Sequence, residues 1–126
     1  MKKHRFNVDA IAPVLRGCNA VGGWLFGSAV SGEVAVQSDI DIAVLFCDKP
    51  GLDELVECRS LLQNALGFDD IDLVVLNGAS VILRFEALMG RRVLCADEAR
   101  CAEFASLTAR EYEDEMAQCH RALHAA

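Results

Sequence analysis

Proline and aromatic residues are scarce in this sequence, with 2 prolines and 6% aromatics in 126 residues. The Pro-rich, weakly hydrophobic composition that keeps a chain from collapsing is therefore absent. At 53% hydrophobic, with a mean hydropathy of +0.26, the chain has the apolar mass for a core. It is too short for two, so a single domain over residues 1–126 is expected. No internal repeat, low-complexity tract or linker divides it. No apolar run approaches bilayer length, and the basic start Met1 to Arg5 leads into Phe6-Asn7-Val8-Asp9 rather than the apolar centre of a signal peptide. The six cysteines form no CxxC pair and no short metal-ligand spacing. They are expected to be small buried hydrophobes in a reducing, cytoplasmic setting.

Positive charge is also sparse. Against 19 acids there are 12 basic residues, a net charge of −7, and from Gly17 to Asp48 there is no Lys or Arg but four acids, Glu33, Asp39, Asp41 and Asp48. Such a surface repels nucleic acid phosphates, so DNA or RNA binding is not expected.

What the sequence does contain reads as an alternating α/β (α+β) unit, a small sheet flanked by helices. A first helix is predicted from about Val8 to Cys18 with Val8, Ile11 and Leu15 on one stripe, then a strand over Val21 to Phe26 that ends in Gly27-Ser28. Ile40, Ile42, Val44 and Phe46 alternate with Asp41, Ala43 and Leu45, which marks a second strand and places Asp39 on the face of Asp41. A helix from about Leu52 to Leu66 follows, with Leu52, Leu55, Leu62 and Leu66 at helical spacing and Gly67 as its stop. A third strand covers Ile71 to Leu76, Ser80 caps a short helix over Val81 to Met89, and Arg92 to Cys95 is an edge strand. Asp97 to His124 reads as one long amphipathic helix with Cys101, Phe104, Thr108, Tyr112, Met116, Cys119 and Leu123 on its packing stripe.

Asp39 and Asp41 need a chemical explanation. Two residues apart on a strand, they project side by side, and paired anions at the edge of an apolar run are costly unless a cation joins them. All-oxygen ligands favour Mg²⁺. Asp72, a lone carboxylate inside an apolar strand, is the candidate third acid, in preference to Asp70, which lies in the turn-like stretch before it. Gly27-Ser28 at a strand end, expected to lead into a helical turn, offers backbone N–H groups and a hydroxyl for phosphate oxygens. His120 and His124, four apart near the end of the chain, have no carboxylate beside them and are assigned to the surface.

Leu25-Phe26-Gly27-Ser28, then ten residues, then Asp39-Ile40-Asp41-Ile42-Ala43-Val44 resembles the GSx10DxD signature of the DNA polymerase beta nucleotidyltransferase superfamily. The small size and the run Ile71-Asp72-Leu73-Val74 before a short helix resemble its minimal nucleotidyltransferase (MNT) branch. The resemblance covers about residues 20–96, with the C-terminal helix of about 97–124 outside it. It implies a polymerase-beta-like fold in which Gly27 and Ser28 bind nucleotide phosphates, Asp39 and Asp41 bind two Mg²⁺ ions, and Asp72 ligates the catalytic ion and helps activate the attacking hydroxyl. By the same resemblance the chain is expected to be an antitoxin that moves AMP from ATP onto a tyrosine of a HEPN-domain RNase toxin, in a hetero-oligomer with it. A domain that neutralises its partner by binding alone, and a subunit acting on a small molecule, are the alternatives. The family's basic residues after the Gly-Ser are replaced here by Ala29-Val30-Ser31-Gly32, so neutralising a triphosphate falls to Mg²⁺, backbone N–H groups and later basic residues such as Lys49, Arg84, Arg91 or Arg92, which are more often solvated surface charges.

Overall fold

The computed structural model describes residues 3–27, 30–35 and 38–125. Strand β1 (Lys3–Arg5) leads through a 3-10 turn at Val8–Ala10 into α1 (Ile11–Gly17), followed by β2 (Ala20–Phe26), β3 (Glu33–Ala35) and β4 (Ile40–Phe46). Then come α2 (Leu52–Leu66), β5 (Ile71–Val75), α3 (Val81–Leu88), β6 (Arg91–Cys95) and α4 (Glu98–His124). The main sheet has the order β5-β4-β2-β6, with β4 and β5 parallel and the other pairs antiparallel. A mixed sheet with a long C-terminal helix is therefore present, as the sequence predicts.

The alternation along β4 divides the core in two. Ile40, Ile42, Val44 and Phe46 pack with Ile11 and Leu15 of α1 and Cys58 and Leu62 of α2, while Ala43 and Leu45 pack with Trp24, Ala87 of α3 and Cys101 of α4. Three layers result, α1 and α2 on one face of the sheet, α3 and α4 on the other. Gly23 in β2 lets α1 approach closely, since a Cβ there would lie 2.6 Å from Leu15 Cδ1. Past the end of β5, Asn77 extends the pairing with its side chain: Oδ1 accepts from Phe46 N and Nδ2 donates to Phe46 O, each at 2.9 Å.

Several expectations are corrected. The first helix is split, with a 3-10 turn over Val8–Ala10 and α-helix only from Ile11, where Pro13 falls in the first turn and its missing N–H costs no hydrogen bond. The sequence does not announce β1 and β3, which pair as a separate two-stranded ribbon. The helical turn expected after Gly27-Ser28 begins at residues outside the described set. The described continuation is a turn at Val30 and Ser31 that runs into β3. Leu52 is 77% exposed, off the buried face of α2. On α4 the stripe is buried at Cys101 and Thr108, but Met116, Cys119 and Leu123 are exposed, because the last turns of this helix have no sheet beneath them.

The cysteines divide likewise. Cys58 and Cys101 are buried as expected, whereas Cys47 and Cys119 are exposed. Burial, with Cys18 as hydrogen-bonding neighbour, pushes the Cys58 thiol up to about 12; burial beside Cys95 pushes Cys101 to about 11. Because the thiolate is the nucleophile, an alkylating reagent at pH 8 is expected to modify Cys47 and Cys119 quickly and Cys58 and Cys101 only after denaturant is added. Peptide mass mapping over time checks this. Among the described residues no helix is long and apolar enough to cross a membrane.

Candidate active site

The sheet register builds the site. Phe26 of β2, Asp41 of β4 and Asp72 of β5 are aligned neighbours across three strands. Because Asp41 alternates with the Ile residues that face α1 and α2, its carboxylate points to the α3/α4 side. Asp72, in register with it, shares that side. Ile40 N donates to Asp70 O at 2.8 Å, which fixes this register one residue before Asp41. Asp39 and Asp72 are exposed and Asp41 is half-buried.

The carboxyl of Asp41 is held above the usual carboxylate range, first by burial, then by the charges of Asp72 and Asp39, and by a hydrogen bond with Asp72. A proton is the smallest cation able to relieve this repulsion, and a hard divalent ion would relieve it further. The donor set fits Mg²⁺ in its usual form of one or two carboxylates plus phosphate oxygens. As a closed all-protein cage it does not: among the described residues no group of three or more His, Cys, Asp or Glu is gathered around one ion-sized space.

Gly27 sits against the acids. Its φ of +72° is the left-handed conformation, and a Cβ there would lie 2.6 Å from Asp41 Oδ2. Ser28, the other expected phosphate ligand, lies outside the described residues. Asp70 lines a cleft with Asp39 and Asp72, but it precedes β5 and lies outside the residues aligned with β4.

Two clefts flank the carboxylates. One, of about 550 Å³, runs past the β5 edge and is polar, lined by Asp39, Asp70, Asp72 and Arg59 with Leu55 and Val56 of α2. The other, of about 590 Å³, begins at Gly27 and Asp41 and continues between Phe26, Ile82, Phe85 and Tyr112. In the second, the rings of Phe85 and Tyr112 are stacked with centroids 3.7 Å apart and planes 6° apart.

None of the four basic residues weighed for the triphosphate lines either cleft among the described residues. Arg84 is 14% exposed and tied to α4, with bonds to Thr108 Oγ1 at 3.3 Å and to Glu111, and its Nε donates to Ala79 O at 3.1 Å. Arg92 pairs with Glu98 at 3.8 Å. Lys49 follows the far end of β4 from Asp41. Arg91 is aligned with Leu25, whose side chain faces the α1/α2 core. The cation that does line the carboxylate cleft is Arg59 of α2, whose Nε donates to Ile71 O at 2.9 Å. Sequence reasoning misses it although it is the one basic residue of α2, because its place beside the acids comes from α2 packing on β5.

The family model described as "Polymerase beta, Nucleotidyltransferase" matches residues 11–99. No curated protein matches the chain. Among solved structures, a toxin-antitoxin with AMP-PNP is 29% identical with a TM-score of 0.76, covering 93% of this chain and 95% of that one. A mutant of the toxin-antitoxin MntA-HpeT is 31% identical, with a TM-score of 0.74 and coverage of 93% and 94%. A complex of tri-AMPylated Shewanella oneidensis HEPN toxin with MNT antitoxin is 27% identical, with a TM-score of 0.67 and coverage of 88% and 87%.

Proposed function

The chain belongs to the polymerase beta nucleotidyltransferase family, and from that premise we propose that it transfers AMP from ATP to a tyrosine hydroxyl of a HEPN-type RNase toxin, acting in the cytoplasm as the antitoxin of the pair. The observation that carries the reading is the in-register contact of Asp41 and Asp72 beside the left-handed Gly27. Its chemical direction is supported by the likeness to an AMP-PNP complex and to a complex holding an AMPylated toxin.

In this reading Gly27 and Ser28 present backbone N–H groups and a hydroxyl to the phosphates, in a stretch where a side chain at Gly27 would collide with Asp41. Asp39, Asp41 and Asp72 would hold Mg²⁺, two ions in all, which when bound offset the charge of both the triphosphate and the acids. Asp72, exposed on the edge strand, would help activate the incoming hydroxyl and take its proton besides serving as a metal ligand, a role its exposure supports. The tyrosine oxygen forms a bond to the α-phosphorus, the bond from that phosphorus to the β-phosphate oxygen breaks, and pyrophosphate leaves. AMP remains on the tyrosine.

The acceptor is a protein because of charge. A site ringed by carboxylates on a chain of net charge −7 repels polyanions and attracts a basic RNA-cleaving surface. The free half of α4 is the docking element: beyond Tyr112 it carries Glu113, Asp114 and Glu115 against Arg121, and Met116 and Leu123 are exposed there at 36% and 82%. An AMP group near the toxin's RNase centre then blocks RNA by repulsion and occlusion.

Incubating this chain and a co-expressed HEPN-type partner with labelled ATP and Mg²⁺ tests the reading. Label and added mass of one or more nucleotide units are expected on the partner. Label on RNA or on a small molecule but not on the partner would overturn the antitoxin assignment, and a stable complex that never takes up label would favour neutralisation by binding alone.

A further inference from the structure

We propose that the apolar cleft on the α3/α4 side of Asp41 seats the base of the nucleotide, with Phe85 as its platform and Tyr112 of α4 as the ring that backs it. This rests on the nucleotidyltransferase reading above and adds the part of the site that recognises the nucleoside.

The two clefts differ in chemistry. A nucleoside triphosphate is a flat, weakly polar ring system joined to a polyanion, so it needs apolar ring surface and charge-stabilising groups within one molecule's length. The polar cleft offers three carboxylates and Arg59 but no aromatic ring. The other starts at Gly27 and Asp41, where the phosphates belong, and continues over Phe26, Ile82, Phe85, Met89 and Tyr112. Ile82 and Met89 are 40% and 72% exposed, so this wall is apolar surface left open to water directly beside ionisable groups. Apart from Asp41, its ionisable groups are Tyr112 and Glu86; Glu86 is exposed and screened by solvent.

The platform is preformed. With centroids 3.7 Å apart, the rings of Phe85 and Tyr112 leave no gap for a base between them, so a base lies against the stack rather than in it. Arg84, next to Phe85, bonds to Thr108 and Glu111, and Glu111 is next to Tyr112. The same buried guanidinium that locks α3 to α4 therefore fixes both rings. In this way α4 contributes to the nucleotide site as well as offering a surface for a partner.

Isothermal titration of the full chain with ATP and with inorganic tripolyphosphate, each with Mg²⁺, tests the proposal. Wild type is expected to bind ATP more tightly than tripolyphosphate. Phe85→Ala is expected to weaken ATP about tenfold and tripolyphosphate less than twofold. Phe85→Leu, which keeps the bulk and spares the fold, is expected to show the same selective loss to a smaller degree. Equal losses for both ligands in the Leu variant, or unchanged ATP affinity, would overturn the platform. ATP affinity unchanged with partner binding lost would make the cleft a protein-docking groove, which also overturns it. The two readings fail separately: AMP transfer with no selective loss removes only the base site, whereas selective loss with no transfer to any protein removes only the antitoxin reading.

Discussion

Asp41→Asn is expected to abolish AMP transfer while leaving the domain at least as stable as wild type. The substitution removes the charge on which Asp72 and Asp39 both act and, in the proposed reading, a metal ligand; a loss of about 10³-fold or more corresponds to ~4 kcal/mol of barrier. Stability moves the other way because of the direction in which the Asp41 carboxyl is shifted. Its folded-state value is raised by burial, by Asp72 and by Asp39, so the folded state holds the proton more tightly than the unfolded chain does. The stability linked to that proton is present in acid, below the ordinary carboxylate range, and is lost as pH rises through the raised value. At neutral pH the charged group therefore works against the fold, and an amide does not. Melting curves from pH 4 to 8 are expected to show the Asn variant gaining on wild type as pH rises, with the two converging in acid. A second consequence follows for ligands. ATP with Mg²⁺ is expected to raise the melting temperature of wild type more than ATP with EDTA, and the variant is expected to lose that difference. If Asp41→Asn and Asp39→Asn instead unfold the domain without changing the specific activity of what remains folded, the acids are structural. Asp70→Asn is the control for Asp72→Asn: Asp72, not Asp70, is aligned with Asp41 and raises its carboxyl, so only the Asp72 change is expected to stop transfer.

How much of the molecule is legible in its sequence depends on the range of the interaction. The β4 strand is plain because Ile40, Ile42, Val44 and Phe46 repeat with period two, and the same alternation by itself assigns Asp41 to the opposite face. Helix α2 is bounded correctly because Gly67 takes the left-handed conformation that ends helices. Strands β1 and β3 are invisible, since three residues carry no period and their pairing spans residues far apart in the chain. Periodicity also aligns Met116 and Leu123 with the packing stripe of α4, but it carries no information about how far the body beneath the helix extends. Leu52 departs from its expected burial although Leu55 in the same turn of α2 packs against the core, because spacing does not tell where along a stripe the contact begins. Gly27, Asp39 and Asp41 are singled out by their spacing and Asp72 by its apolar strand, and the register aligns Asp41 with Asp72, whereas Arg59 and the Phe85–Tyr112 stack are products of helix packing across the sheet. Tertiary neighbours of that kind leave no trace in a single sequence.

Gly27→Ala is expected to reduce transfer about a hundredfold with only a modest loss of stability, and it separates the shape of the site from its charge. The residue sits at φ +72°, where a Cβ is disfavoured by roughly 1–2 kcal/mol. That cost alone is small beside the stability of an ordinary domain. The larger effect lies in the neighbour: the new methyl would stand 2.6 Å from Asp41 Oδ2, a separation that real Cβ atoms do not tolerate, so the carboxylate must move. Movement toward β5 brings Asp41 closer to Asp72, which is aligned with it and whose charge already opposes its own. A displacement on the order of 1 Å in a reacting constellation costs about 10² in rate. The variant is expected to keep the full charge of the site and to melt within a few degrees of wild type, so any loss of transfer reports geometry. Partner binding through α4 is expected to be unchanged, because its exposed residues Met116 and Leu123 lie beyond the part of the helix that packs on the sheet. Native mass spectrometry of the complex, run beside the label-transfer assay, checks both. Full transfer by Gly27→Ala would mean that the strand end relaxes away from Asp41 in the working complex, and the close approach would then have no part in catalysis.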